Sequence, residues 1–221
     1  MTFAEKLLVF YRQLAIGTRL PKGVEVLNPY QDEKAFALCA AFYRQFYQDK
    51  NPRKVILGIN PGRFGGGITG IPFTDPIKLE SICGIENDMT KKAELSADYI
   101  YRMIEAFGGP QKFYGRYFFS SVSPLGFTQD GKNLNYYDTP ELMKALEKFI
   151  LKSIKQIIDM GVDTDVAFCL GEGDNFKYLT NLNNQQNFFK QIIPLAHPRF
   201  IMQYKRKQID HYIGDYLRKL S

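Results

Sequence analysis

The spacing of apolar residues changes between helical and strand-like along the chain. Apolar positions three or four residues apart predict helices over residues 3–15, 31–47, 96–107 and 140–160, and a short one to about residue 179. Short apolar or β-branched runs predict strands over residues 55–59, 116–122, 165–170 and 189–196. Polar, glycine-containing or proline-containing stretches predict irregular structure over residues 20–30, 77–88 and 181–187. From about Gln203, a basic amphipathic helix is predicted to close the chain.

This alternation of strands and helices predicts an α/β fold. We expect one domain over residues 1–221, a three-layer αβα sandwich around a central, mainly parallel four-stranded sheet. Ligands of such sheets bind in the crevice at the carboxyl ends of the strands. Asn60, Ser121, Gly171 and His197 stand at those four ends, so we expect them to lie around one binding site.

Glycines are densest directly after the first predicted strand, between Asn60 and Phe73. Glycine has no Cβ and tolerates positive φ, so a ligand can approach the backbone there. Pro61 and Pro72 stiffen the same segment, which indicates a shaped rim for a ligand. Gly171-x-Gly173 is only a fragment of a dinucleotide fingerprint, because the full GxGxxG is absent.

Charge and cysteine content narrow the class of function. The net charge of +6 favours an anionic partner, and basic residues interleaved with aromatic ones crowd the C-terminal segment, which suits a nucleic-acid surface or a solvated helix face. Three widely separated cysteines provide neither a disulfide framework, nor a zinc site, nor the four ligands of an iron–sulfur cluster. No apolar run approaches the ~20 residues of a membrane span, and the N-terminus lacks a signal-peptide pattern. We therefore expect a cytoplasmic protein that uses no metal or other cofactor.

Three motifs together resemble one enzyme family. The chain resembles the uracil-DNA glycosylase superfamily, most closely its single-strand-selective monofunctional (SMUG-type) branch. The motifs that carry the resemblance are Gly58-Ile-Asn-Pro-Gly-Arg-Phe-Gly, Thr69-Gly-Ile-Pro-Phe73 and His197-Pro198. The resemblance extends from roughly Lys54 to Tyr204, and the cysteine count disfavours the branches that carry iron–sulfur clusters. It implies a DNA glycosylase of base excision repair that hydrolyses the N-glycosidic bond of a deaminated base.

The resemblance also implies roles for individual residues. Asn60 would position the water that attacks C1′ of the deoxyribose, and His197 would donate to the base O2 as negative charge develops. A donor aimed at such an oxyanion in a dry pocket supplies ~3 to 4 kcal/mol. Phe73 would stack on the flipped base, offsetting ~1 to 3 kcal/mol of the flipping cost. The remaining base-binding residues would be Ile59, Gly62, Phe64 and Ser121.

Ser121 departs from the family pattern, which places there an Asn that reads the Watson–Crick edge of uracil. A hydroxyl has a shorter reach and lacks the paired donor and acceptor of an amide. We therefore expect xanthine or another deaminated purine as a substrate besides uracil, as in bacterial relatives of this branch. Alternatively, Ser120 or Ser123 reads the base.

The last motif is about two residues shorter than the family usually has, so His197-Pro198 leads directly to Arg199-Phe200. One hypothesis is that Arg199 or Phe200 inserts into DNA as a wedge, with phosphate contacts from Arg63, Lys205, Arg206 and Lys207. The alternative is a shortened loop that barely penetrates DNA. No lysine occupies a motif position, so we expect base excision without Schiff-base strand cleavage.

Two other functions fit parts of this pattern. A non-catalytic nucleic-acid binder that senses damaged bases could use the same pocket and basic segment. A small-molecule nucleotide hydrolase could use the same cleft but would not need the basic C-terminal helix. We favour a monomeric enzyme that acts on single- or double-stranded DNA containing a deaminated base.

Overall fold

The computed structural model describes residues 1–221. Its strands are β1 (Val24–Leu27), β2 (Lys54–Gly58), β3 (Tyr117–Ser121), β4 (Gly126–Gln129), β5 (Lys132–Leu134), β6 (Asp163–Leu170) and β7 (Gln191–Leu195). Its α-helices are α1 (Phe3–Arg12), α2 (Glu33–Phe46), α3 (Gly66–Thr69), α4 (Pro76–Ser81), α5 (Leu95–Phe107), α6 (Pro110–Tyr114), α7 (Pro140–Asp159), α8 (Asp174–Gln186), α9 (Pro198–Tyr204) and α10 (Ile209–Leu220). Single 3₁₀ turns cover Pro29–Gln31 and Arg206–Gln208. None of the helices combines the length and apolar character needed to cross a bilayer.

The central sheet has four parallel strands in the order β3-β2-β6-β7, which confirms the predicted mainly parallel sheet. In its middle, Ile56 pairs with Phe119 on one side and Phe168 on the other. β3 is buried along its whole length because helices cover both faces of the sheet. The carboxyl ends of all four strands consequently point to the same edge.

A smaller antiparallel sheet, in the order β1-β4-β5, was not predicted. β4 and β5 form a hairpin whose turn is Asp130-Gly131, with positive φ at both residues, as an Asp-Gly hairpin turn requires. β1 lies within residues 20–30, so the prediction of a loop there was wrong. The hairpin matters for the site because β5 ends beside Asn60.

Several helix boundaries differ from the predicted ones. α1 begins at the predicted cap, Thr2, but ends three residues early. α4 occupies part of the segment predicted as irregular, because Asp75 caps it and Pro76 starts it. α8 continues through the predicted polar loop to Gln186, where Asn187 ends it in a left-handed conformation. α7 begins at Pro140 with Thr139 as its cap, as predicted.

The predicted closing helix from about Gln203 is two helices in the structure, α9 and α10, with the 3₁₀ turn at Arg206–Gln208 between them. α9 starts at Pro198 instead of about Gln203, because His197 itself caps the helix and proline suits its first position. α9 packs against α5, and α10 packs against both. Arg199 and Phe200 are therefore in a helical turn rather than in a protruding loop.

Candidate active site

The four strand ends converge on a cavity of about 560 Å³. Asn60, Ser121, Gly171 and His197 all line it, as the parallel topology predicts. From the predicted site it also contains Ile59, Gly62, Phe73, Arg199 and Phe200. The remaining lining residues are Pro61, Gly66, Pro72, Glu94, Ser96, Asn133, Asn135, Tyr137, Glu172, Gly173, Asp174, Asn175, Gln203 and Tyr204. No group of three or more His, Cys, Asp or Glu side chains is arranged to hold a metal ion.

The Asn60 amide is held at both ends by the backbone at the end of β5 and just after it. Its Nδ2 donates to the Leu134 carbonyl oxygen at 3.1 Å, and its Oδ1 accepts from the Tyr136 N–H at 3.0 Å. The second Nδ2 hydrogen has only a 3.5 Å contact with the Pro61 carbonyl oxygen. Oδ1 keeps one lone pair free. The amide orientation is thus fixed, and an acceptor remains available for a water molecule.

Tyr136 anchors the segment that holds Asn60. Its side chain is fully buried, and its hydroxyl donates to Asn175 Oδ1 at 2.9 Å. Asn175 Nδ2 in turn donates to the Leu170 carbonyl oxygen at the end of β6. The backbone partners of Asn60 are therefore tied to the central sheet itself.

His197 presents a neutral imidazole to the cavity. Its Nδ1 accepts the Arg199 N–H at 3.2 Å, so the neutral ring carries its proton on Nε2. Burial, and secondarily the positive charge of Arg199, lower the pKa of His197 to about 4. At neutral pH this side chain is an uncharged hydrogen-bond donor through Nε2.

Phe73 is held in an unusual backbone conformation against Gly58. Its φ is +56°, in the left-handed region that a bulky residue rarely adopts. Its ring is 5.4 Å from the Phe119 ring, centroid to centroid. A Cβ on Gly58 would stand 2.7 Å from Phe73 Cζ, so glycine is required there for the ring to occupy this place. Thr69 Oγ1 supports the turn by donating to the Thr74 carbonyl oxygen at 2.7 Å.

Of the three neighbouring serines, the structure brings only Ser121 to the cavity. The Ser121 hydroxyl makes no hydrogen bond within the chain and is 3.4 Å from the position of a Cβ on Gly58. Ser120 lies on the opposite face of β3, and the Ser123 hydroxyl donates to the Leu125 carbonyl oxygen at 2.9 Å. Neither alternative serine is therefore placed to contact a ligand in the cavity.

Phe64, which we expected to bind the base, does not line this cavity. It lines a neighbouring depression of about 400 Å³ together with Arg63, Lys132 and Arg199. The Arg63 guanidinium is 4.5 Å and the Lys92 ammonium 3.7 Å from the centre of the Phe64 ring. These cations hold the ring in the depression, away from the main cavity.

The cavity mouth is bordered by α9. Arg199 and Phe200, in the first turn, line the cavity, and Tyr204 lines it one turn later. Phe200 is 43% exposed and Tyr204 is 72% exposed, with ring centroids 5.6 Å apart. Lys205, Arg206 and Lys207 follow at the end of α9 and do not line the cavity. Tyr204 could have been found in the sequence as part of the aromatic and basic segment.

Glu94 was missed because no motif surrounds it. It stands at the N-cap position of α5 without a side-chain capping hydrogen bond, and its N–H donates to Asp75 Oδ2 at 2.9 Å. Its carboxyl makes no hydrogen bond within the chain and lies close to the glycine loop, with Oε1 3.5 Å from the position of a Cβ on Gly62. Burial, and then the negative charge of Asp75, raise the pKa of Glu94 to about 7, while Arg199 opposes the shift.

Comparison with known proteins is consistent with this geometry. Residues 45–221 match the sequence pattern of the Uracil DNA glycosylase superfamily. The crystal structure of wild-type SMUG2 from Pedobacter heparinus is similar to 99% of this chain and 97% of its own, with 46% sequence identity and a TM-score of 0.97. A search of the curated proteins gives no match.

Proposed function

The chain belongs to the Uracil DNA glycosylase superfamily and is a DNA glycosylase, and we propose that it is a monofunctional, monomeric enzyme that excises uracil and xanthine. The SMUG-type resemblance of its motifs is confirmed by the likeness to the Pedobacter protein. The observation that carries the proposal is the pairing of Asn60 with His197 in one cavity, each oriented by a hydrogen bond to the backbone. One chain supplies every residue of this site, so no second subunit is needed.

In the proposed reaction, the bond between C1′ and the base nitrogen breaks and its electron pair leaves with the base. His197 Nε2–H donates to the base O2, where the negative charge accumulates. The water held by the free lone pair of Asn60 Oδ1 adds to C1′ and loses a proton, so that the sugar keeps a hydroxyl and the proton neutralises the departed base anion. A neutral donor that is already oriented stabilises this charge by ~3 to 4 kcal/mol without reorganising during the reaction.

The base would lie between Phe73 and the end of β3. Phe73 supplies the stacking surface, and Ile59 and Gly62 line the space beside it. The free Ser121 hydroxyl can donate to or accept from the base edge. Because the cavity of about 560 Å³ has room for a two-ring base, we include xanthine among the substrates.

DNA would contact α9 and the neighbouring basic depression. Phe200 and Tyr204 offer exposed rings on one side of α9, where bases adjacent to the flipped one can stack. Arg63 and Arg199 line the depression, and Lys205, Arg206 and Lys207 extend the positive surface for phosphates. Since α9 begins directly after His197, insertion would come from side chains of this helix and not from a loop.

The proposal is tested with single- and double-stranded oligonucleotides that contain uracil, xanthine or hypoxanthine. We expect alkali-labile abasic sites from uracil and xanthine, and no covalent DNA adduct after borohydride reduction. Binding without abasic sites would indicate a sensor instead of an enzyme that excises these bases. Turnover of free nucleotides alone would indicate a small-molecule hydrolase, and a trapped adduct would contradict the monofunctional mechanism.

A further inference from the structure

The Glu94 carboxyl is a partly buried acid that the proposed mechanism does not use. Its two oxygens lie against the glycine loop: Oε2 is 1.9 Å from the position of a Cβ on Gly65, and Oε1 is 3.5 Å from that of a Cβ on Gly62. A Cβ would collide with the carboxyl only at Gly65, whereas the distance from Gly62 is an ordinary van der Waals contact, so glycine at residue 65 leaves room for Glu94 in its present position. Glu94 lines the same cavity as Asn60 and Phe73, the residues that begin and end the loop.

One negative and four positive side chains lie around Glu94. Asp75, at the start of α4, is the nearest negative group, and its Oδ2 accepts the Glu94 N–H. Arg199 of α9 faces the carboxyl, but no ion pair forms between them. Arg63 and Lys132 line the adjoining depression, and Lys92 lies over Phe64 at its edge. Despite these cations, the carboxyl has no hydrogen-bond partner within the chain.

A carboxyl that lines the cavity without a hydrogen-bond partner can help to recognise deaminated bases. Deamination replaces an exocyclic amino group, a donor, with a carbonyl, an acceptor. A neutral carboxylic acid can donate its O–H to that carbonyl, whereas a carboxylate can only accept and would favour the amino group of an undamaged base. The protonation state of Glu94 therefore decides which kind of base edge it matches.

We propose that Glu94 is a further base-contacting residue that acts as a neutral carboxylic acid and donates its O–H to an acceptor on the edge of the flipped, deaminated base. The proposal rests on the glycosylase function proposed above and adds a specificity-determining residue to it. The raised pKa of about 7 supports it, because a substantial fraction of Glu94 carries a proton near neutral pH. The positive charge of Arg199 is the one cause that lowers the pKa of Glu94. DNA phosphates that pair with Arg199 would offset this charge, so DNA binding would increase the protonated fraction of Glu94.

The test is the pH dependence of single-turnover excision from a uracil-containing single-stranded oligonucleotide, measured from about pH 6 to about pH 8.5. Uracil remains neutral over most of this range, and the pKa of His197, about 4, lies below it. The variants are Glu94→Gln, which keeps a neutral donor of similar size, and Glu94→Leu, which removes the donor. Glu105→Gln is the matched control, because Glu105 is exposed on the same helix and outside the cavity.

We expect the rate of the parent and of Glu105→Gln to fall about tenfold or more as the pH rises through about 7. Glu94→Gln should stay within about threefold of the parent's rate at about pH 6 and should not show this fall, whereas Glu94→Leu should be about tenfold slower than the parent there. A Glu94→Gln profile that follows the parent's, or a Glu94→Leu rate equal to the parent's at about pH 6, would overturn the inference. Thermal unfolding shows whether Glu94→Leu is folded. If it is not, the comparison of the pH profile of Glu94→Gln with that of the parent decides the test. A parent that releases no base would instead contradict the proposed function.

Discussion

Two walls of the cavity differ in how firmly they hold their side chains. On the wall that follows β2, both ends of the Asn60 amide bond to the backbone, and Phe73 is wedged against Gly58 in a left-handed conformation. On the wall formed by α9, Tyr204 is largely exposed and Phe200 is 43% exposed, and the Arg199 guanidinium makes no ion pair within the chain. One wall has a fixed geometry, and the other has side chains that are free to adapt.

This difference matches two different requirements. Orienting a water molecule and a departing base requires groups held within a fraction of an ångström, and fixed polar groups stabilise developing charge without reorganising. Binding a flexible DNA strand requires positive charge and aromatic surface that adjust to it. His197 stands where the two walls meet: its Nδ1 is held by the Arg199 N–H, and its side chain lines the cavity.

The largest expected effect comes from the fixed wall. Replacing Asn60 with alanine removes the only side-chain acceptor that the proposal assigns to the attacking water, so we expect the single-turnover excision rate to fall about 10³-fold. Affinity for uracil-containing DNA, measured by fluorescence anisotropy, should change less than threefold. Equal loss of rate and affinity would mean that Asn60 does not act separately from DNA binding.

The next largest effect is expected from His197→Ala. Its excision rate should fall about 10²-fold to 10³-fold, because one donor to the developing anion is removed. Since burial lowers the pKa of the imidazole to about 4, protonation of His197 should cause no loss of rate in the parent as the pH falls from about 7 to about 5. Protonation would then reduce the rate only as the pH approaches 4. A loss of activity centred near pH 6.5, the ordinary value for histidine, would show that His197 is not desolvated in the working enzyme.

Gly58 tests whether the position of Phe73 matters. In Gly58→Ala the new Cβ would stand 2.7 Å from Phe73 Cζ, so the ring must move away from the place where the base is proposed to stack. We expect a loss of about 1 to 3 kcal/mol in the free energy of unfolding, from denaturant titration, and about a tenfold loss in excision rate. Gly214→Ala is the control, because a Cβ there meets nothing within 4 Å. Equal stability and activity of both variants would remove the proposed requirement for glycine at residue 58.

The smallest expected effect lies on the adaptable wall. Phe200→Ala should weaken binding of single-stranded DNA about fivefold to tenfold, since stacking of one base on an aromatic ring contributes ~1 to 3 kcal/mol. The rate at saturating enzyme should change less than threefold, because Phe200 does not touch the reacting atoms in our proposal. A large change in that rate would give α9 a part in the chemistry.

The residues at strand ends could be predicted from the sequence, and their partners could not. Parallel topology brings Asn60, Ser121 and His197 together wherever the strands are recognised correctly. The groups that fix Asn60 are the backbone atoms of Leu134 and Tyr136, and backbone atoms leave no pattern in a sequence. Glu94 likewise enters the cavity through packing of α5 against α9, which local spacing does not encode.

The errors in the predicted fold have similar causes. Strands β4 and β5 are only four and three residues long, and the Asp130-Gly131 turn was their one clear signal. Polar residues over 181–187 suggested a loop, but Leu182 packs against the core. Asn183 also exchanges two hydrogen bonds with the Phe189 backbone, at 2.8 and 2.9 Å. Tertiary contacts therefore extend α8 beyond what its composition predicts.

The division between the two walls is tested most directly by measuring the excision rate at saturating enzyme and the dissociation constant for uracil-containing DNA on Asn60→Ala and Phe200→Ala side by side. We expect opposite results: Asn60→Ala loses about 10³-fold in rate and keeps its affinity, whereas Phe200→Ala loses about fivefold to tenfold in affinity and keeps its rate. If both substitutions change the same quantity, or if Asn60→Ala still releases uracil at the parent's rate, the account is contradicted.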